Sequence, residues 1–131
     1  MGKIKRGDVF MIDLPQGAGS EQTGYRPAVI ISNQLCNENS TVVTVAPITS
    51  QMKKLKQPTH VVVRNMKALN RNSVVLCEQI GTYSQERLGK KLGSFNKKTM
   101  KKINNAISIA ISLNITGIES CQVSDEHKRQ V

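Results

Sequence analysis

The sequence predicts a mainly β protein, a small and mostly antiparallel barrel or half-open sheet with a C-terminal α-helix packed on it. Its 131 residues are the length of one domain. Five short runs of β-branched and small apolar residues occupy the first 80 positions, whereas the apolar residues after position 96 recur every three or four positions. Only 3% of the residues are aromatic, so the core must be built from Ile, Val, Leu and Met.

The first two predicted strands, residues 9–14 and 27–32, flank a long polar loop. Each strand is rich in apolar and β-branched side chains. The loop, residues 15–24, holds three glycines in its last eight positions, and glycine at this density neither continues a strand nor forms a helix. We therefore expect a long, mobile loop that leads directly into the second strand.

Three further runs of β-branched residues predict the third, fourth and fifth strands, and polar segments separate them. The consecutive apolar residues 74–77 indicate that the fifth strand is buried on both faces over its first half. The predicted strands are residues 41–48, 59–63 and 73–80, and the predicted connections are a turn at 33–40, a basic loop at 50–57 and a turn at 67–72.

The apolar period changes after the fifth strand. Ser84 is placed to cap a short helix with Glu86 in its first turn, where the helix dipole favours an acid. Residues 97–113 carry the apolar stripe of an amphipathic helix. We expect one domain over residues 1–113, followed by a polar tail, frayed or disordered, over residues 114–131. The stripe consists of Met100, Ile103, Ile107, Ala110 and Ile111.

The positive charge of the chain is concentrated in one block. The net charge is +10, and residues 51–102 alone hold thirteen basic residues against two acidic ones. So strong a bias predicts a polyanionic partner, either nucleic acid or anionic lipid. The alternative is that the charge serves solubility alone.

The cysteines and the apolar segments indicate which cellular compartment and which cofactors to expect. Cys36, Cys77 and Cys121 are isolated along the chain, and their odd number favours free thiols. Cys and His nowhere cluster at the spacing of metal ligands, so neither a metal nor another cofactor is expected. No segment approaches the ~20 apolar residues of a membrane span, and no apolar signal-peptide core follows the N-terminus. We therefore expect a cytoplasmic protein with no membrane partner.

Arg26 is the strongest candidate for binding an anion. Pro27 disfavours a helical conformation at Arg26 and holds its backbone extended. A planar guanidinium with five donors has a shape suited to phosphate. The alternative is a surface arginine paired with Glu21.

Other polar residues stand at the ends of predicted strands. Thr49 and Ser50 end the third strand, where hydroxyls are more often turn caps than catalysts. Glu78 and Gln79 lie near the end of the fifth strand, where the alternative to a functional role is a structural hydrogen bond. His60 opens the fourth strand, and a lone histidine there is more often a packed or edge residue than a general base.

Several of these segments resemble motifs of the MazF/PemK family, the growth-inhibiting toxins of type II toxin–antitoxin modules. They occur in the family's order and spacing across residues 3–113, and the tail lies outside the resemblance. The motifs are Lys5-Arg6-Gly7-Asp8-Val9, Gly19-Ser20-Glu21-Gln22 with Gly24 and Arg26-Pro27, Val29-Ile30-Ile31-Ser32-Asn33, Ile48-Thr49, Pro58-Thr59-His60-Val61, Ser73-Val74-Val75-Leu76-Cys77-Glu78-Gln79-Ile80 and Arg87-Leu88.

The resemblance implies an SH3-like antiparallel barrel of the MazF/Kid/CcdB type that forms a homodimer. It further implies metal-independent, sequence-specific cleavage of single-stranded RNA, often mRNA, and neutralisation by a partner antitoxin with an acidic, partly disordered segment. Arg26 and Thr49 match the family's catalytic pair. The runner-up function is a non-catalytic nucleic-acid-binding module or a topoisomerase-poisoning toxin on the same barrel.

The chemistry of RNA cleavage suggests roles for the remaining candidate residues. Without a metal, RNA is cut by attack of its own 2′-hydroxyl, so DNA would bind without being cut. Glu21 is expected either to orient Arg26 or to act as the general base. Many family members carry Arg after the Glu-Gln-Ile motif where this chain has Gly81, which predicts an altered target motif. The expected RNA-binding residues are Ser20, Gln22, Thr23, Ser50, Gln79, Lys53 and Lys54.

Overall fold

Seven strands and two α-helices make up most of the part of the chain that the computed structural model describes, residues 3–19, 21–52 and 57–113. The tail predicted at 114–131 lies outside this part. Three short 3-10 turns complete the secondary structure, at Lys67–Leu69, Cys77–Gln79 and Gln85–Arg87. The elements are β1 (Asp8–Leu14), β2 (Gly24–Ile30), α1 (Gln34–Asn39), β3 (Val42–Thr49), β4 (His60–Val63), β5 (Ser73–Leu76), β6 (Gly81–Ser84), β7 (Leu88–Ser94) and α2 (Lys97–Ala110).

The strands form one antiparallel sheet in the order β4-β5-β3-β2-β1-β7, with β6 paired to β3. Each of the six strand pairs is antiparallel. The predicted mainly β fold with a C-terminal helix is therefore confirmed. The strands at the two ends, β4 and β7, do not pair with each other within the described residues, so the sheet is half-open and the word barrel fits it loosely.

The segment 33–40, predicted as a turn, forms the short helix α1 instead. The side-chain oxygen of Asn33 accepts a hydrogen bond from the backbone N–H of Cys36 at 2.8 Å, which satisfies a donor of the first helical turn. The prediction overlooked this cap. β2 likewise begins three residues before its predicted start, because Gly24 and Tyr25 pair with the end of β1.

The strands β6 and β7 were not predicted from the sequence. Their residues include three glycines and two lysines, which have low β-propensity. They are strands because each pairs with a neighbour already in the sheet, β6 with β3 and β7 with β1. The helix predicted at Ser84 is the 3-10 turn Gln85–Arg87, and the Ser84 hydroxyl accepts from the N–H of Glu86 at 3.2 Å, as expected of a cap.

The core between the sheet and α2 is aliphatic, as predicted. The largest fully buried side chains in the described residues are isoleucines, valines and Cys77. From α2, Ile103 and Ala106 enter the core, and Met100 and Ile107 pack against its margin. Ile111, predicted to continue the stripe, lies just beyond the helix end and is 49% exposed.

No helix within the described ranges is long and apolar enough to cross a membrane.

The buried carboxylate of Asp8 connects β1 to β7 and to the segment before β1. Asp8 is only 2% exposed. Its oxygens accept hydrogen bonds from the backbone N–H of Lys5 at 2.9 Å and from the hydroxyl of Ser94 at 2.7 Å. The ammonium of Lys91 lies 3.4 Å away. These contacts satisfy the buried charge and hold β7 against β1.

We expect Asp8→Asn to lower the free energy of unfolding by about 1–3 kcal/mol, because an amide nitrogen would face one of these donors. Urea denaturation monitored by circular dichroism measures the loss. The matched control is Asp13→Asn, an exposed position on the same strand, where we expect a change within about 0.5 kcal/mol. Equal effects of the two variants would contradict a special role for Asp8.

Candidate functional site

The sheet brings the ends of three strands to one edge. β3 runs antiparallel to both β2 and β5, so its C-terminal end lies beside the N-terminal ends of those two strands. Ala28 pairs with Pro47, and extending this register by two residues on each strand sets Arg26 opposite Thr49. On the other side of β3, Thr49 pairs with Val74.

A cleft of about 400 Å³ lies at this edge and contains Arg26 and Thr49, two of the three predicted catalytic residues. Arg26 lines it from β2, Thr49 and Ser50 from the end of β3, and Arg71 from the segment before β5. The remaining lining is supplied by Tyr25, Pro27, Ile48, Gln51, Leu69 and Ser73.

Contacts with the preceding loop fix the guanidinium of Arg26. Its Nε donates to the carbonyl oxygen of Thr23 at 2.8 Å, and one terminal nitrogen donates to the side-chain oxygen of Gln22. Within the described part of the chain Arg26 forms no ion pair with Glu21, so the alternative of a surface pair is wrong. Two of its five donors serve the loop, which leaves the others for an anion.

Glu21 does not line the cleft of Arg26 and Thr49. One carboxylate oxygen accepts from the backbone N–H of Ala18 at 3.0 Å, and the N–H of Glu21 donates to the Ala18 carbonyl at 3.1 Å. The side chain thus closes a turn within the loop. It faces a neighbouring cleft of about 300 Å³ whose lining also includes Gln22, Glu78 and Gln79.

A backbone contact connects the two clefts. The N–H of Gln22 donates to the side-chain oxygen of Gln79 at 2.9 Å, while the side chain of Gln22 accepts from Arg26. Gln79 therefore holds the loop at the point where it contacts Arg26. Of the predicted RNA-binding residues, Gln22 and Gln79 are therefore in contact with each other, and Thr23 contacts Arg26 through its backbone carbonyl.

The hydroxyl of Thr49 accepts from the backbone N–H of Gln51 at 3.1 Å. This is the turn-cap contact that the sequence left as an alternative. It uses a lone pair and leaves the hydroxyl proton to be donated into the cleft. The cap and a catalytic role are therefore compatible.

The side chains of His60 and Glu78 are hydrogen-bonded to each other. The carboxylate of Glu78 accepts from His60 Nε2 at 2.9 Å and from the Thr59 hydroxyl at 3.0 Å. Burial by itself would raise the pKa of Glu78, but these hydrogen bonds, the backbone and the charge of His60 outweigh it and lower that pKa below its usual value. The His60 side chain is 6% exposed, so its position agrees with a packed residue rather than a solvent-facing base.

The remaining candidate residues lie outside the two clefts or outside the described part of the chain. Ser20, Lys53 and Lys54 lie outside the described residues, as does Cys121. Cys36 is exposed, whereas burial and the charge of Glu78 raise the pKa of the buried Cys77 thiol to about 12. In residues 3–19, 21–52 and 57–113, no three His, Cys, Asp or Glu side chains gather where they could hold a metal ion.

Comparison with known proteins shows the family of this chain. Residues 5–111 match the family of PemK-like, MazF-like toxins of type II toxin–antitoxin systems. The chain belongs to this family. It is 47% identical over 111 residues to the endoribonuclease MazF of Staphylococcus saprophyticus, an alignment that covers 84% of this chain and 92% of that protein.

Solved structures of MazF-type proteins have the same fold. An endoribonuclease from a mycobacterial species superposes with a TM-score of 0.71 at 28% identity, over 86% of this chain and 95% of that one. A mycobacterial endoribonuclease in complex with its cognate antitoxin superposes with a TM-score of 0.69 at 29% identity, over 87% of this chain and 98% of that one.

Sequence reasoning missed Arg71 in the cleft. Arg71 follows the turn Lys67–Leu69 and belongs to no motif, so the sequence around it carries no functional signal. Only the order β5-β3-β2, which sets the start of β5 beside the end of β3, places it near Thr49.

Proposed function

We propose that this protein is a sequence-specific endoribonuclease toxin that cuts single-stranded RNA, above all messenger RNA, and so inhibits translation and growth in the cytoplasm. The observation that carries the proposal is that Arg26, from β2, and Thr49, from the end of β3, line one open cleft. The 47% identity to a MazF endoribonuclease supports it. A binding module or topoisomerase poison would not need this pair, so that alternative is not favoured.

The reaction we propose uses the RNA's own 2′-hydroxyl as nucleophile. A bond forms between O2′ and phosphorus, and the bond from phosphorus to the 5′ oxygen of the next nucleotide breaks. The 2′ proton passes to solvent water, and the leaving 5′ oxygen takes a proton from solvent water. The products are a 2′,3′-cyclic phosphate and a 5′-hydroxyl. The protein has only to hold the phosphate in line and stabilise the charge that develops on its oxygens.

Arg26 and Thr49 supply these functions. The guanidinium, held in place by Gln22 and Thr23, stabilises the added negative charge and donates toward the leaving oxygen. The Thr49 hydroxyl, capped by Gln51, donates to a non-bridging phosphate oxygen. Glu21 acts indirectly, since its bond to Ala18 orders the loop that contacts Arg26. No metal enters this scheme.

The neighbouring cleft is suited to reading a base. Its side chains include the amides of Gln22 and Gln79, the carboxylates of Glu21 and Glu78 and the ring of Tyr83. Amides donate and accept at base edges, carboxylates accept there, and an aromatic face stacks on a base. Tyr83 also lies over Gly81, since a Cβ added there would come within 2.5 Å of its hydroxyl oxygen. The family's usual arginine is thus replaced by a glycine that leaves room for Tyr83, and this supports an altered target motif.

Two protein partners belong to the proposal. The chain forms a homodimer through apolar surface, and the exposed side chains of Ile109, Ile111 and Leu113 at the end of α2 provide such a surface. A cognate antitoxin with an acidic, disordered segment is drawn to the basic block 51–102 and competes with RNA. The mycobacterial relative solved with its antitoxin supports a partner of this kind.

Arg26→Ala should lower the rate of RNA cleavage about a hundredfold or more, because it removes the donor that stabilises the transition state. Thr49→Val, nearly isosteric, should also lower the rate. Both should leave thermal unfolding close to that of the parent protein, since neither creates a buried cavity. The matched control is Arg64→Ala, an exposed arginine that lines neither cleft. Cleavage by Arg26→Ala within about threefold of the parent rate would remove Arg26 from the mechanism.

Cleavage of a mixed-sequence RNA should proceed equally with and without EDTA. It should stop when the nucleotide on the 5′ side of the cut carries 2′-deoxy or 2′-O-methyl ribose, since the attacking group is then absent. Gel analysis of end-labelled fragments measures both effects. A cut 2′-deoxy substrate would mean that water or a protein group attacks phosphorus, and the proposed reaction would be wrong.

A further inference from the structure

We propose that Arg71 binds a second backbone phosphate of the RNA, so that the strand passes from the cleft of Arg26 and Thr49 across the turn at residues 65–72. The inference rests on the proposed function. It adds a second phosphate contact and the direction in which the RNA strand runs from the cleft. Three observations carry it: the position of Arg71, the availability of its guanidinium, and the distribution of charge along the edge of the sheet.

The fold fixes the position of Arg71. The 3-10 turn Lys67–Leu69 ends at Asn70, which has a left-handed backbone (φ 63°), a conformation that asparagine tolerates. The N–H of Arg71 then donates to the Leu69 carbonyl at 2.7 Å, and the hydroxyl of Ser73 donates to the Arg71 carbonyl at 3.1 Å. Arg71 therefore lines the cleft from the β5 side, as Arg26 does from the β2 side, with Thr49 on the strand between them.

The guanidinium of Arg71 is available for a ligand. Across the described residues it forms neither an ion pair nor a side-chain hydrogen bond, and the residue is exposed. Arg6, Arg26 and Arg87, by contrast, each donate to oxygens of the protein. A planar donor set without a protein partner, in the same cleft as the catalytic pair, is suited to a phosphate.

The charges along this edge of the sheet indicate the direction in which the RNA backbone leaves the cleft. Arg71 also lines an adjoining groove of about 410 Å³ together with Lys67 and three asparagines, Asn65, Asn70 and Asn72. Neither this groove nor the central cleft has a carboxylate in its described lining. The cleft on the opposite side contains Glu21 and Glu78, which repel phosphate. The backbone of the RNA is therefore favoured on the Arg71 side.

The experiment measures binding of a short single-stranded RNA that contains the cleavage site and carries 2′-O-methyl at the attacking position. Arg71→Gln should weaken binding about tenfold at low salt and reduce the slope of log Kd against log salt by about 0.7, the value for one phosphate contact on a single strand. Arg71→Lys should retain the slope, since it keeps the charge. Arg64→Gln, the matched loss of an exposed arginine on the same hairpin, should change affinity by less than about twofold.

A second measurement locates the phosphate. Each phosphate of the RNA is replaced in turn by a neutral methylphosphonate. One replacement, at a phosphate other than the scissile one, should weaken binding to the parent protein and have no further effect on Arg71→Gln, because the two changes remove the same contact. Additive effects at every phosphate, or equal losses for Arg71→Gln and Arg64→Gln, would overturn the inference. A parent protein that neither cuts nor binds RNA would instead overturn the proposed function.

Discussion

The candidate site depends on the antiparallel register of β3 between β2 and β5. Because β3 runs against both neighbours, its last residues meet the first residues of both. Arg26 is thereby set opposite Thr49 on one side, and Arg71 is brought to the other. A shift of β3 by one residue would turn Thr49 to the opposite face and separate it from Arg26. The buried side chains of β3 oppose such a shift, because Val45 packs in one core cluster and Ala46 and Ile48 pack in another, and the shift would exchange these positions.

The loop before β2 couples the two clefts. Gln22 contacts Arg26 with its side chain and Gln79 with its backbone, while Glu21 closes the turn from which the loop extends. The proposed base-reading cleft and the proposed catalytic arginine therefore share one loop. A base that bound against Gln79 would act on the position of Arg26 through Gln22. In the proposed function, this contact is the physical route by which recognition of a sequence would affect the rate of cleavage. The separation of charge supports the same division, since carboxylates line the base cleft and arginines line the phosphate cleft.

The sequence predicted those parts of the fold and site whose signal is local. Alternation and β-branching identified β1 to β5, and the spacing of apolar residues identified α2. The Arg26-Pro27 junction and the end of β3 offered candidate residues, and the family resemblance singled out Arg26 and Thr49 as the central pair. The strands β6 and β7 were not predicted because glycine and lysine have low β-propensity. These residues form strands because they pair with β3 and β1. Arg71 was not predicted because it comes near Thr49 only through the order of the strands. No local sequence pattern encodes that order. The role of Glu21 depended on the path of a glycine-rich loop, and the structure turns its carboxylate to Ala18.

The most direct test of the account is a map of backbone amide chemical shifts as an uncleavable single-stranded RNA is added to the full chain. If the RNA binds where the structure places Arg26, Thr49 and Arg71, the shifts that change most will cluster at three places on one edge: the loop and strand start at residues 22–26, the end of β3 at 49–51, and the segment before β5 at 69–73. Changes confined to the apolar groove lined by Ile4, Phe10 and Leu88, with that edge unaffected, would contradict it.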